Sequence, residues 1–377
     1  MESLLLIDGD ARKSCLRRPR PKPQRKGSTM QFGLFYEAPE DARYTHAERY
    51  LEMLDLMTYG ESLGFDAVWM AEIHFGGPFS LLSSPLTVVP AIAARTRRVR
   101  IGTAVTLLPL HNPLSLAEQA ATADILSGGR LEFGVGRGSI PTQFHGFGIP
   151  VEENRARFGE ALEIIRRAWT EERFSYQGRF YQVDHLAVVP KPLQQPHPPI
   201  RVGVHTAESF AHLGDLGLPI YSGTTTTPLP ELREGMALYR QHLQASGHPW
   251  RDDQMALMFP MHVAATSAAA REAMRPGVER FYRNILTILS ALPETYTGHL
   301  ERLQKLRETV DYLPFERFCQ HQGVFGEPQE CIDRLQAARD EFGLCQIICW
   351  FDQGCMLPSD EVKRSMAQFA DAVMPKI

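Results

Sequence analysis

The sequence predicts an α/β fold: a TIM-type (β/α)8 barrel with insertions. Three observations predict it. Short apolar runs alternate with amphipathic helical stretches along most of the 377 residues, and such alternation gives a parallel sheet. About eight such units follow one another in one chain, which favours a closed barrel over an open sheet. Two polar motifs, Ala71-Glu72-Ile73-His74-Phe75 and Phe133-Gly134-Val135-Gly136-Arg137-Gly138, sit just past apolar runs. In a parallel barrel, chemistry is built at the carboxyl ends of strands.

The elements read in order. Gln31–Tyr36 is a short apolar run. Thr45 and Glu48 have capping-box spacing and open a helix that runs to Gly64. Ala67–Met70 is a strand, Pro85–Arg95 a helix and Val99–Val105 a strand. Ser115–Leu126 is an amphipathic helix closed by Gly128-Gly129, and Leu131–Val135 is the fourth strand. The long helix Asn154–Trp169 is followed by a small hairpin, Phe174 to Val183, turning at Gln177-Gly178. After the proline-rich Pro190–Pro199, strand five is Ile200–Val204, with a helix from Thr206. Pro219–Tyr221, Met255–Ala264 and Gln346–Phe351 read as strands. Leu229–Ala245, Pro328–Glu341 and Ser359–Val373 read as helices. Between about Arg275 and Val324 the periodicity weakens. A segment so long needs its own account: it reads as a lid over the strand ends or as an extra helical pair.

Residues 1–29 read as a disordered extension. Arg12 to Lys26 is rich in Lys, Arg and Pro without hydrophobic periodicity, and Met30 is the expected functional start. Residues 30–377 form the barrel domain. Apolar residues are 44% of the chain and charged residues 22%, ordinary for a globular protein. The net charge of −4 favours neither nucleic acid nor an anionic membrane as partner. Five of the six cysteines fall between Cys319 and Cys355 without paired C-x-x-C spacing, so free thiols in a reducing cytosol are expected. No metal ligand set is expected either.

Arg137 lies among glycines that permit close backbone approach, and its planar fork suits a phosphate. Glu72 and His74 place an acid and an imidazole at a second strand end. His111 and Asn112 follow the third strand, and His145 follows the fourth. Phe35, Phe75, Phe79, Trp350 and Phe351 are candidates to line a pocket, or core residues.

Taken together, these motifs resemble the bacterial luciferase-like family of flavin-dependent monooxygenases. The likeness is carried by Gly60 to Phe75, Gly102 to Pro109, Leu126 to Gly138, Gly326 to Asp333 and Asp371 to Pro375, and it spans nearly all of Met30 to Ile377. The resemblance implies a TIM-like barrel, reduced FMN as cofactor and activation of O2 at the flavin as a (hydro)peroxide. It implies that Arg137, Gly138, Ser139, His205, Thr206 and Ser209 hold the phosphate. It places Ala104-Val105, with a non-proline cis peptide, beneath the ring. His74, Glu72 and His111 become the catalytic candidates. One position departs from the pattern: Ile73 stands where the luciferases carry a histidine base, so a light reaction on long-chain aldehydes is not expected. The reactive luciferase cysteine likewise falls on Gly136. The implied partners are a small-molecule substrate, a separate flavin reductase and a second copy of the chain. F420-dependent dehydrogenases and non-catalytic partner subunits on the same scaffold are the alternatives.

Overall fold

The computed structural model describes residues 30–225, 227–290 and 315–377. The expected extension at residues 1–29 and the centre of the expected lid, 291–314, lie outside these. Eight strands close a parallel ring: β1 (Gln31–Tyr36), β2 (Ala67–Met70), β3 (Arg100–Thr103), β5 (Leu131–Gly136), β8 (Ile200–Gly203), β9 (Ile220–Gly223), β10 (Met255–Val263) and β12 (Gln346–Trp350), the last pairing with the first. The short β4 (Thr106–Leu107) pairs with β5, and β11 (Val324–Gly326) with the end of β10. β6 (Phe174–Gln177) and β7 (Gln182–Leu186) form the antiparallel hairpin expected after the fourth unit.

The helices of the outer ring begin and end where local chemistry permits. α1 (His46–Leu63) starts at a capping box made by Thr45 and Glu48 and stops at Gly64, whose φ of 97° suits a residue without Cβ. α2 is Pro85–Arg95. α3 (Pro113–Leu126) is capped by the Asn112 side chain, with Pro113 at its first position. The short α4 is Pro141–Gly146 and α5 is Asn154–Thr170. Thr206 caps α6 (Ala207–Asp215). α7 is Leu229–Ala245, α8 Ser267–Ser290, α9 Phe315–His321, α10 Pro328–Phe342 and α11 Ser359–Gln368.

Side chains alternate along each strand, so each strand feeds two apolar regions. The outer one, with Leu34, Val68, Ile101, Phe133 and Ile347, packs against the helices. The inner one, with Phe35, Trp69, Tyr221, Met258, Ile348 and Trp350, fills the barrel. Trp69 spans much of this interior because its neighbours are glycines. A Cβ on Gly33 would lie 2.9 Å from its indole nitrogen, and one on Gly102 2.2 Å from its six-membered ring.

Several elements differ from the sequence expectation. The strand Val99–Val105 is two pieces, parted at Ala104–Val105, where the peptide bond is cis. α4 and β11 were not legible as elements. And the stretch from Arg275 opens as helix: α8 continues through Pro276 to Ser290. α8 lies across the strand carboxyl ends. Phe281 packs on Trp350 and Phe79, with ring centroids 5.3 and 5.2 Å away. Arg280 reaches Asp41 at 2.7 Å and the Glu40 carbonyl at 2.7 Å, just past β1. Tyr282 Oη donates to the Thr225 carbonyl, past β9, at 3.2 Å. The final helix is α-helical only to Gln368 and finishes as a π turn, Phe369–Val373.

Candidate active site

Two polar clusters meet at the carboxyl end of the barrel. The first begins where β5 ends. Gly138 has a φ of 75°, a conformation glycine adopts at little cost, and it turns the chain directly after Arg137. The guanidinium Nη2 of Arg137 donates to Ser209 Oγ at 2.6 Å. Ser209 Oγ in turn lies 2.7 Å from Thr206 Oγ1, and Thr206 Oγ1 accepts from Ser209 N–H at 3.3 Å. Thr206 therefore both caps α6 and lines the site; the two roles coexist. These residues, with Gly138, Ser139, Val151, Asn154, Gly203 and His205, line a cavity of about 70 Å³. A guanidinium, two hydroxyls and a helix start are the kinds of group that suit an anion. All six phosphate candidates read from the sequence are brought together here. Asn154 was missed: it was legible only as a helix start, while its Nδ2 also donates to the Gly138 carbonyl at 3.4 Å. Arg155 and Glu208, paired at 2.6 Å, join α5 to α6.

Ala104 and Val105 pack against the inner apolar cluster, and Val105 also lies beside Gly203 of the cavity lining. Val105 fits because its neighbours are glycines: a Cβ on Gly136 would lie 2.3 Å from Val105 Cγ2, and one on Gly203 3.0 Å from Cγ1.

The second cluster centres on Glu72, one residue beyond Ala71 at the end of β2. Its carboxylate is buried, and Oε1 lies 2.8 Å from His74 Nε2 and 2.7 Å from His111 Nε2. Oε2 accepts from Leu107 N–H at 3.3 Å. Burial alone would raise the Glu72 pKa, but the hydrogen bonds from His111 and His74 outweigh it, and the group is held below the usual carboxylate range. An ionised carboxylate only accepts, so both Nε2 atoms donate to it. The three ligand-type atoms lie within 4.8 Å of one another. The hydrogen bonds account for that closeness: both imidazoles spend one nitrogen on the same oxygen.

The remaining candidates divide. Phe35 and Trp350 belong to the inner apolar cluster, and Phe79 and Ile73 pack against it. Phe75 does not: it is 66% exposed and its ring lies against Phe147. Nor does Phe351, which turns outward onto Phe65 and Phe369, because strand alternation puts it on the face opposite Trp350. His145 is exposed on α4. Asn112 is a helix cap, with its side chain accepting from Leu114 and Ser115. Among the described residues, no helix is long and apolar enough to cross a membrane.

Comparison with known proteins agrees with this architecture. The chain is 27% identical over 364 residues to an alkanal monooxygenase alpha chain of Photorhabdus luminescens, covering 92% of this chain and 96% of that one. It is 27% identical to the oxygenase component of a flavin-dependent trigonelline monooxygenase of Acinetobacter baylyi, covering 92% and 95%. It is 37% identical over 182 residues to protein y4wF of Sinorhizobium fredii, but spans only 53% of that relative's length. Among solved structures, monooxygenase RslO1 of Streptomyces bottropensis superposes with a TM-score of 0.78 at 28% identity, covering 92% of this chain and 99% of that one. The FMN complex of the oxygenating constituent of 3,6-diketocamphane monooxygenase from Pseudomonas putida shares the fold, with a TM-score of 0.77 at 17% identity, covering 93% and 99%. A family profile, that of luciferase-like monooxygenases, matches residues 30–344. The ring of strands, the strand-end motifs and that match concur: the chain belongs to the luciferase-like monooxygenase family.

Proposed function

We propose that the protein is an FMN-dependent monooxygenase that inserts one atom of O2 into a small organic substrate, using reduced FMN delivered by a separate flavin reductase. The observation that carries this reading is the bond from Arg137 to Ser209, which closes an anion cavity at the end of β5 beside the Ala104–Val105 peptide. Arg137, Thr206 and Ser209 hold the phosphate, Gly138 lets backbone approach it, and Ala104–Val105 supports the ring. When bound and reduced, the flavin supplies the electrons that activate dioxygen.

The chain's own residues do the rest. Glu72 fixes both imidazoles through its contacts with their Nε2 atoms. His74 takes or returns a proton at Nδ1. Ile73 cannot, so the proton path of this chain runs through His74 rather than its neighbour. Phe79, Phe281 and Trp350 keep water from the space under α8. The same reading gives the chain a second copy of itself as a partner, and the Acinetobacter relative, named as an oxygenase component, supports the separate reductase.

Equilibrium binding of FMN, riboflavin and F420 tests the proposal. The expected result is that FMN binds at least about 100-fold more tightly than riboflavin, the worth of a charge-assisted phosphate grip. Equal binding of FMN and riboflavin would overturn the phosphate assignment, and a preference for F420 would replace the oxygenase with a dehydrogenase.

A further inference from the structure

Among the described residues, the mechanism leaves unused a buried acid whose side chain is unpaired. Glu37 follows β1, is 6% exposed, and its carboxyl has no hydrogen-bond or ion-pair partner among the described residues. Only its backbone carbonyl is engaged, accepting from Cys355 Sγ at 3.6 Å. The alternation that turns Gly33 and Phe35 into the barrel turns Glu37 the same way. Its field reaches Tyr221, across the interior on β9. β1 stands half-way round the ring from β8, so Glu37 lies on the side of the barrel remote from the phosphate cavity.

An unpaired buried carboxyl is costly, and native proteins rarely keep one without a reason. Burial without a counter-charge pushes its pKa well above the usual range and so favours the neutral carboxylic acid, which has one O–H to donate. The surroundings are of one kind. Trp350 packs edge-on to Phe35 at 5.0 Å, and Trp69 stacks on Tyr221 at 6.1 Å. Trp350 Nε1, also buried, has no partner either. The walls are aromatic faces, and the unspent polar groups are donors.

We infer that Glu37 is the polar anchor of the substrate site, and that it selects a neutral, flat, ring-containing compound whose carbonyl or hydroxyl oxygen accepts its O–H. This rests on the oxygenase reading for what happens to the compound, but not for its recognition. Such a ligand lies between Glu37 and the Ala104–Val105 wall, with its rings against Phe35 and Trp350. The corresponding enzyme class is ring or ring-adjacent oxygenation of an aromatic ketone or phenol.

A matched set of probes decides it: 1-tetralone, tetralin and 1-aminotetralin, titrated calorimetrically into FMN-loaded and flavin-free protein. Wild type is expected to prefer 1-tetralone over tetralin by about tenfold, the worth of one buried hydrogen bond. Glu37→Leu is expected to abolish that preference and Glu37→Gln, which keeps a donor, to retain part of it, with FMN affinity unchanged in both. Infrared difference spectra at neutral pH should show a protonated-carboxyl band that Glu37→Gln removes. No preference in wild type, or an undiminished preference in Glu37→Leu, would overturn the assignment. Tightest binding of the ammonium compound would overturn it too, in favour of an ionised Glu37 and a cationic substrate. Failure of FMN to bind, by contrast, removes the flavin reading alone, since the flavin-free titrations still judge Glu37.

Discussion

Arg137 and Ser209, 72 residues apart in sequence, meet at 2.6 Å between the end of β5 and the first turn of α6. The bond aims a guanidinium at the cavity and fixes the start of α6 against it. Arg137→Ala is expected to weaken FMN binding by about 10- to 100-fold, the range for loss of one charge-assisted hydrogen bond. Riboflavin binding should change far less, because it lacks the phosphate. Arg137→Lys keeps the charge but not the fork, and should fall between the two. Fluorescence titration of both flavins against the three proteins checks the order.

Glu72 holds two imidazoles with one oxygen, so it acts on chemistry through His74. Glu72→Gln keeps the shape but removes the charge and offers a donor where two donors already point. Turnover is expected to drop about 100-fold, as for loss of an oriented acid–base group, with FMN affinity nearly unchanged. The pH profile should also move, since a negative charge beside His74 is removed. For stability, the folded pKa of Glu72 is depressed, so its contribution is in place above the ordinary glutamate pKa and is lost as pH falls through the folded value. Thermal melts of the variant and wild type between pH 3 and 7 should therefore converge on the acid side.

The barrel tolerates no side chain at Gly134. A Cβ there would sit 1.8 Å from the Thr103 carbonyl oxygen, a backbone atom that cannot step aside. Thr103 also donates its hydroxyl to the Gly134 carbonyl at 2.6 Å, tightening the same contact. Gly134→Ala is expected to cost about 3 kcal/mol or more, the upper range for overpacking. Gly159, in helix α5 with nothing within 4 Å of its added Cβ, is the control: Gly159→Ala should stabilise by about 0.5–1 kcal/mol. Chemical denaturation of both variants tests the contrast.

Much of this was legible because the fold's signals are local. The Thr45–Glu48 box and the Gly128-Gly129 stop depend on neighbours in sequence, and each stands where it was read. Arg137 declared itself through its flanking glycines. What was missed depends on distant partners. Pro276 reads as a breaker, yet α8 runs through it because Phe281 and Tyr282 anchor it on β12 and on the loop after β9. β11 is three residues long and exists as a strand only through its pairing to Met261–Val263. The pairing of His111 with Glu72 joins positions 39 apart, and no spacing rule reports it. Phe351 was read as pocket or core, and the strand's two-residue period, counted from Trp350, places it in the outer core.

Asp352 supplies a pH test independent of any ligand. Just past β12, it is buried, and burial pushes its pKa up to about 6 despite the amide of Leu357, which donates to it at 3.2 Å, and the nearby charge of Arg49. Glu52 and Cys355, on neighbouring elements, act on the same cluster. The folded value lies above the unfolded one, near 4. Between those two values the folded protein holds the proton and the unfolded chain does not, so stability falls as pH rises from about 4 to about 6 and then levels. Two pKa units correspond to roughly 3 kcal/mol. Asp352→Asn keeps an oxygen for the Leu357 amide but cannot ionise. Its stability relative to wild type should therefore rise by that order between pH 4 and pH 6, and stay constant above pH 7. A difference that does not change with pH would mean that Asp352 is ionised in the folded protein throughout. Urea unfolding of the two proteins at half-unit pH steps measures it.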